Sequence, residues 1–335
     1  MDHLNFTRLS SVEIGSLWYH YVTDTLAEQV LTYFAKSVQD TDIKPVVNLA
    51  LQYTQNNLKA SRQVMSTESM AFPVGFTATD VVLNAPRLFS DSFMLYYLKH
   101  RTQQETLNYG MSFSTASRED TRKFFEQAID LSIKLDNEVS RVLLAKGLLI
   151  KPPHIPTPTQ AEFVESPSFL GSILGTNRML NGIEIGLLHV GIDLATVTKC
   201  LLTGFSQVVR DDTLCDYFLR GMDIAKKHIV AFSDALIKND LQASTAWDLD
   251  VTESTVSPFS DKLMLFHATT ISSYVTKMYG WGMSSSTRVD LHIDYARLMM
   301  EVMQYGEDGL QLLIKRGWME QSPLAANRRE LALQQ

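Results

Sequence analysis

Cysteine is nearly missing from this sequence: only Cys200 and Cys215 occur in 335 residues, and both fall inside helical patterns. No disulfide framework can be read from them, so a reducing compartment is expected, with the cytoplasm as the default location. Positive charge is scarce too, since 30 Lys and Arg stand against 37 Asp and Glu for a formal net charge of -7. The one dense basic spot, Arg328-Arg329, adjoins Glu330. Nucleic acid is therefore not an expected partner. No stretch reaches the ~18 uninterrupted apolar residues that suggest a membrane span. The opening "MDHLNFTRLSSVEIG" has no basic start followed by an apolar run, so neither an export signal nor an anchor is expected.

Catalytic signatures are missing as well. There is no Gly-x-Ser-x-Gly to anchor a serine hydrolase. "GSILGTN" (Gly171 to Asn177) lacks the Gly-Lys-Ser/Thr ending of a phosphate loop and reads as a flexible linker. Neither Glu-x-x-His, the one-turn spacing that sets two ligands on a di-iron pair, nor His-Glu-x-x-His nor paired Cys-x-x-Cys occurs anywhere. No catalytic and no cofactor-binding residue is nominated, and enzyme activity is not the expectation.

What the chain does have is a core and a repeat. Apolar residues make up 45% and charged residues 20%, the balance of a globular protein. "FSDSFMLYY" (Phe89 to Tyr97) returns as "FSDKLMLFH" (Phe259 to His267), and "LSSVEIGSLW" (Leu9 to Trp18) as "LNGIEIGLLH" (Leu180 to His189). Capping patterns repeat with it: Ser10 with Glu13, Ser117 with Asp120 and Thr287 with Asp290 have the spacing of helix starts. Gly147 and Gly317 follow Lys146 and Arg316, the way a helix commonly ends. Between these marks apolar residues recur at three and four, which predicts four helices per half: 10–37, 42–68, 88–112 and 117–146, then 180–209, 212–238, 259–283 and 287–316.

The helices join in short hairpins except in the middle of each half. There, Thr67 to Arg87 and Asn239 to Pro258 are long enough to run the ~42 Å length of a 28-residue helix. The expected fold is all-α, with two tandem ferritin-like four-helix bundles related by internal duplication, each with one long crossover. "KPPHIPTP" (Lys151 to Pro158) reads as an extended spacer, so the domains are placed at 1–150 and 179–335 around a Pro/Gly-rich linker at 151–178.

With "NAPRLFSDSFMLYYL", "GLLIKPPHIPTP" and "PFSDKLM" in this two-bundle setting, the chain resembles the duplicated domain-of-unknown-function family numbered 3231 of endospore-forming bacteria, distantly akin to spore coat protein F. The resemblance spans about Leu9 to Pro323. It implies a tandem ferritin-like fold and a link to sporulation or the spore, and brings no established activity and no site residues.

The sharpest candidate chemistry is a difference between the halves. His189 stands where the first half has Trp18, His228 where it has Asn57, His267 where it has Tyr97, and Asp308 where it has Glu138. One imidazole on each of three helices and a carboxylate on the fourth is how bundles hold Zn, Fe or Mn. The crossover argues against a four-ligand centre, because it sets the two hairpin turns at opposite ends and separates His189 and His228 from His267 and Asp308 by roughly 15 Å. Three readings follow. The first is a non-catalytic structural or interaction protein, with a protein partner or self-association. The second is a metal-binding or metal-dependent oxidoreductase with its site in the second bundle. The third is a binder of a small apolar ligand, lined by the stripe from Phe93 to Tyr97 and from Leu263 to His267.

Overall fold

The structure, a computed structural model, describes residues 8–172, 177–243 and 250–333. Met1 to Thr7, the middle of the Gly171 to Asn177 stretch and residues 244–249 and 334–335 lie outside the described residues. All eight expected helices are present, with ends within three residues of those expected: α1 (Ser11–Ser37), α2 (Ile43–Thr67), α3 (Asp91–Thr115), α4 (Glu119–Ala145), α5 (Gly182–Val208), α6 (Asp212–Ile237), α7 (Asp261–Ser285) and α8 (Val289–Lys315). A short α9 (Arg328–Leu333) follows. Among the described residues there is no strand, only two isolated β-bridges.

Local chemistry sets most of these boundaries as the sequence leads one to expect. Ser10 caps α1 through the Glu13 amide while Glu13 answers the Ser10 amide at 2.8 Å. Ser90 and Ser260 cap α3 and α7 by accepting the amides of Phe93 and Leu263, both at 3.1 Å. Gly147 and Gly317 each sit at φ +66 just beyond the end of α4 and α8, a left-handed conformation that glycine adopts without strain.

The starts of α4 and α8 differ from expectation. Neither Ser117 nor Thr287 is the cap; Arg118 and Arg288 occupy those positions without a side-chain cap. A carboxylate from the neighbouring helix does the work instead. Glu13 accepts the amides of Ser117 and Arg118 at 3.0 and 2.8 Å, and Glu184 accepts the amide of Thr287 at 3.1 Å. One buried acid thus satisfies the first turn of its own helix and that of the helix beside it. Burial acts to raise both carboxyls, yet these hydrogen bonds, with Arg178 added at Glu184, hold each at about 2.

Those contacts fix the direction of every helix. Glu13 joins the starts of α1 and α4, while Lys146 at the end of α4 pairs with Asp40 in the turn from α1 to α2 at 2.8 Å. Asp91 at the start of α3 accepts the amides of Gln39 and Asp40 in that same turn. α2 and α3 therefore both start at that end, and the connection between them returns along the full bundle. The second half repeats this, with Arg316 at the end of α8 on Asp211 at the start of α6 at 2.8 Å.

The two crossovers meet. Val82 donates to Pro258 and Ser260 to Asp80, while Ser90 donates to Asp250 and Thr252 to Leu88, all between 2.8 and 3.0 Å. The bridges Val81 with Phe259 and Phe89 with Val251 lie inside this ladder. Phe89 and Val81 of one half answer Phe259 and Val251 of the other, so the pairing is isologous about a pseudo-twofold axis, as in a symmetric dimer. Around it one hydrophobic core runs through both bundles. Phe34 lies 6.3 Å from Phe89, and their counterparts Phe205 and Phe259 are also 6.3 Å apart. α5 is the one helix among the described residues long and apolar enough to cross a membrane, and most of that stretch is buried inside the protein, against α6 and the opposing bundle.

The axis leaves little slack where Tyr33 in α1 becomes Gly204 in α5. A methyl group added at Gly204 would lie 2.5 Å from Phe89, whereas at Gly186 in the same helix nothing stands within 4 Å. Alanine at Gly186 is expected to stabilise the protein by about 0.5–1 kcal/mol. At Gly204 it is expected to destabilise by about 1–3 kcal/mol through overpacking. Urea unfolding of the two variants reads the opposite signs.

Candidate functional site

The four residues nominated from the second half are not gathered at one centre. His189 on α5 places Nε2 3.2 Å from the Ile150 carbonyl oxygen and 3.3 Å from Asp193. His228 on α6 lies between the Tyr279 hydroxyl at 3.1 Å and the Glu301 carboxylate at 3.0 Å. Asp308 on α8, partly exposed, accepts from Arg220 at 2.7 Å and Gln304 at 3.0 Å. His267 on α7 meets Tyr97 across the bundle boundary at 3.2 Å. The crossover is the reason: α6 and α7 start at the same end, so the α5–α6 and α7–α8 turns lie at opposite ends and residues at similar distances from their own turns do not converge. Among the described residues no group of three or more His, Cys, Asp and Glu is arranged to hold a metal ion.

His267 leads to a different site. Tyr97 is its counterpart in the first half, so this contact is a residue of the repeat touching itself across the pseudo-twofold axis. Beside it, α1 and α3 of the first bundle and α5 and α7 of the second enclose a cavity of about 70 Å³. The first-bundle wall carries the charged groups, with His20, Asp24, His100, Arg101 and Glu105; the second-bundle wall is uncharged, with Leu194, Val197 and Ile271 beside Thr198, Thr270, Tyr274 and His267.

The polar wall is a buried charge network. Arg101 pairs with Glu105 one turn on, lies 3.6 Å from Asp24 and donates to Thr54 at 2.9 Å. Tyr109 donates to Asp24 at 2.8 Å and accepts from Asn57 at 3.3 Å; Ser132 donates to Glu105 at 3.3 Å. The His20 ring stacks on Tyr109 with centroids 4.0 Å apart and reaches the Ser112 hydroxyl at 2.9 Å. Burial, opposed by the attraction of Arg101, pushes the Asp24 carboxyl up to about 7, and burial raises Glu105 as well. The histidines move the other way. Burial, with Lys277 second, lowers His20 to about 3; burial, with Arg101 second, lowers His267 to about 3; burial, with Lys99 second, lowers His100 to about 4.

Not every polar atom here is satisfied. Neither ring nitrogen of His100 has a hydrogen-bond partner, with Gln103 beside the ring but outside bonding geometry, and Nδ1 of His267 has none. Both side chains are more than nine-tenths buried.

These residues were legible in the same comparison of halves that nominated the second-bundle histidines, taken in the other direction. Where the first half carries His20, Asp24, Arg101 and Glu105, the second carries Gly191, Ala195, Ile271 and Val275. The signal is a polar group in one copy erased to apolar or small residues in the other.

The model of a family described as Protein of unknown function (DUF3231) matches residues 4–160 and again 168–331. Among solved structures, a protein of Bacillus halodurans C-125 provisionally named a spore coat protein is similar at 17% identity and a TM-score of 0.42, over 46% of this chain and 100% of that one. No curated protein matches.

Two outcomes follow from the network. Arg101→Ile alone is expected to cost about 3–5 kcal/mol, because it strands buried carboxyls. The triple variant Asp24→Ala, Arg101→Ile, Glu105→Val, which installs the second half's residues, should be neutral or up to about 4 kcal/mol more stable in thermal unfolding. The Asp24 carboxyl also sets a pH dependence. Its folded pKa lies above the unfolded value of 3.8, so the native state holds a proton that the unfolded chain has released. This contribution is fully present below about pH 4 and lost as the pH rises through 7. Asp24→Asn should therefore flatten the decline in stability across that window, measured as urea midpoints from pH 4 to pH 8.

Proposed function

We propose a structural, non-catalytic role in sporulating cells for this chain, which belongs to the family of unknown function DUF3231 through both of its repeats. One observation carries the reading: what the two halves share is architecture. The shared buried acids, Glu13 and Glu184, cap helices. The shared Phe-Ser-Asp starts α3 and α7 and feeds the paired crossovers. The shared aromatic residues fill one core across both bundles. By contrast, the charged group around Arg101 belongs to the first half alone, and the histidines nominated for chemistry make separate contacts. A connectivity with one long crossover per bundle supports the ferritin-like class. The link to sporulation is what the family resemblance carried by "NAPRLFSDSFMLYYL" and "PFSDKLM" implies.

The reading is tested in an endospore-forming host carrying a tagged copy under its native control. The protein is expected to be scarce in growing cells and recovered from purified spores by detergent with reductant. Uniform abundance during growth with none in spores would refute the location. Steady depletion of any component when purified protein is incubated with a small-molecule extract would refute the non-catalytic role.

A further inference from the structure

α8 carries two apolar faces. Leu291, Tyr295, Leu298, Val302, Tyr305 and Leu313 turn one of them into the core of the second bundle. The other lies on the far side of the helix, in water: Ile293 is 43% exposed, Met300 60%, Met303 46%, Leu310 40% and Ile314 63%. With the partly exposed Val289 and Ala296, these residues keep a strict four-and-three spacing from 289 to 314, broken by the single charge of Glu307. That is the spacing of a coiled-coil seam. A helix at the surface of a globular protein ordinarily turns a polar face outward, so this one needs a reason. The first repeat supplies the control. α4 holds the same place in its own bundle, and at the matching positions it carries Glu119, Lys123, Glu126, Asp130, Asn137 and Ser140, with Ile133 and Leu144 the apolar exceptions. The fold therefore works with a charged outer stripe, and the second half carries an apolar one instead.

The stripe complements itself in one direction. With a second α8 laid antiparallel about a twofold axis between Glu301 and Val302, Val289 meets Ile314 of the partner subunit, Ile293 meets Leu310 of the partner subunit and Met300 meets Met303 of the partner subunit. Glu307 falls opposite Ala296 of the partner subunit, whose small side chain leaves it room, and beside Arg297 of the partner subunit. Arg297 is half-exposed with Asp294 at 3.3 Å, a surface pair of little strength that is readily exchanged. A parallel pairing in register would instead set Glu307 against its own copy. Area agrees: the five large side chains expose roughly 500 Å² per copy, so their pairing removes about 1,000 Å² in all, where specific interfaces begin. We infer that α8 is a dimer interface, through which two copies of this chain pair antiparallel along Ile293, Met300, Met303, Leu310 and Ile314, with Glu307 of each on Arg297 of the partner subunit. The interface goes beyond the structural role above and does not rest on it, since its test is made on purified protein without reference to spores.

Sedimentation velocity of the full-length protein over about 1 to 100 μM tests the pairing, and a reversible dimer is expected within that range, as befits an interface of modest area. The double variant Met300→Asp, Leu310→Ser installs the residues that α4 carries at the matching positions, so it suits the helix. It should weaken the dimer at least about tenfold while helical circular dichroism and thermal unfolding stay near those of the unmodified protein. Direction is read by cysteine cross-linking in a Cys215→Ser background. Ile293→Cys mixed with Leu310→Cys should oxidise to a disulfide-linked dimer. Each alone should stay unlinked, because in the antiparallel pair a residue at 293 or 310 lies about 17 residues, or ~25 Å, from its own copy along the axis. The inference is overturned by a monomer at every concentration, by a dimer that the Asp and Ser substitutions leave intact, or by a disulfide that forms in either cysteine variant alone.

Discussion

The antiparallel pairing of the two crossovers is the contact on which the rest of the molecule depends. Each crossover is a long, largely irregular segment whose backbone amides and carbonyls have no helix to satisfy them, and lying against a core they must find partners. They find each other: Val82 with Pro258, Ser90 with Asp250, Thr252 with Leu88 and Ser260 with Asp80. One bundle alone would leave that row exposed along its length, an edge open to pairing with any similar segment. Because the partner is covalently attached, the edge is closed at high effective concentration and the phenylalanines beneath it are sealed.

Duplication then permits what a homodimer forbids. In a symmetric dimer a residue on the axis meets an identical copy, so Tyr97 could pair only with tyrosine and a histidine only with histidine. Once both copies lie on one chain, the two positions vary independently, and here they have become Tyr97 and His267. A hydroxyl and an imidazole form a hydrogen-bonded pair of unlike groups that two identical residues on an axis cannot form. The same freedom explains Tyr33 against Gly204. The tyrosine hydroxyl donates to Pro86 and accepts from Leu88 on one side, while on the other the missing side chain makes room for the Phe89 ring.

The helices, their turns and the crossover were legible because they follow from period, caps and length, all of which are local properties. The true cap of α4 was not, because Glu13 reaches it from a hundred residues away and nothing in "FSTASRED" signals that Ser117 is to be passed over. The cavity was hidden for a related reason. His20 and Asp24 stand one turn apart on α1, and Arg101 and Glu105 one turn apart on α3, which in sequence reads as the solvated face of each helix. The packing of α1 and α3 against Thr54 and Asn57 of α2 and Phe125 and Ser132 of α4 buries those faces, and the second bundle covers what is left. A search for histidines present only in the second half finds residues the fold keeps apart, while polar residues present only in the first half mark the group it brings together.

That group is hard to account for as a source of stability. Taking Asp24, Arg101 and Glu105 out of water carries a desolvation penalty that their mutual attraction does not dependably repay. The second bundle shows that the same helices pack with Ala195, Ile271 and Val275 in those places. An apolar solution was therefore available to this architecture and is in use within the same molecule. What the charged solution adds is asymmetry: Asp24, Arg101 and Glu105 on one side of the axis face an uncharged wall of Leu194, Val197, Thr198, Thr270 and Ile271 on the other. A polar network that were only packing would tend to close on itself, as Glu13 and Glu184 do with every nearby amide. Ring nitrogens of His100 and His267, like the hydroxyls of Tyr295 and Tyr305 in the second bundle, stay without a partner, and that difference separates the two kinds of buried polar group in this fold.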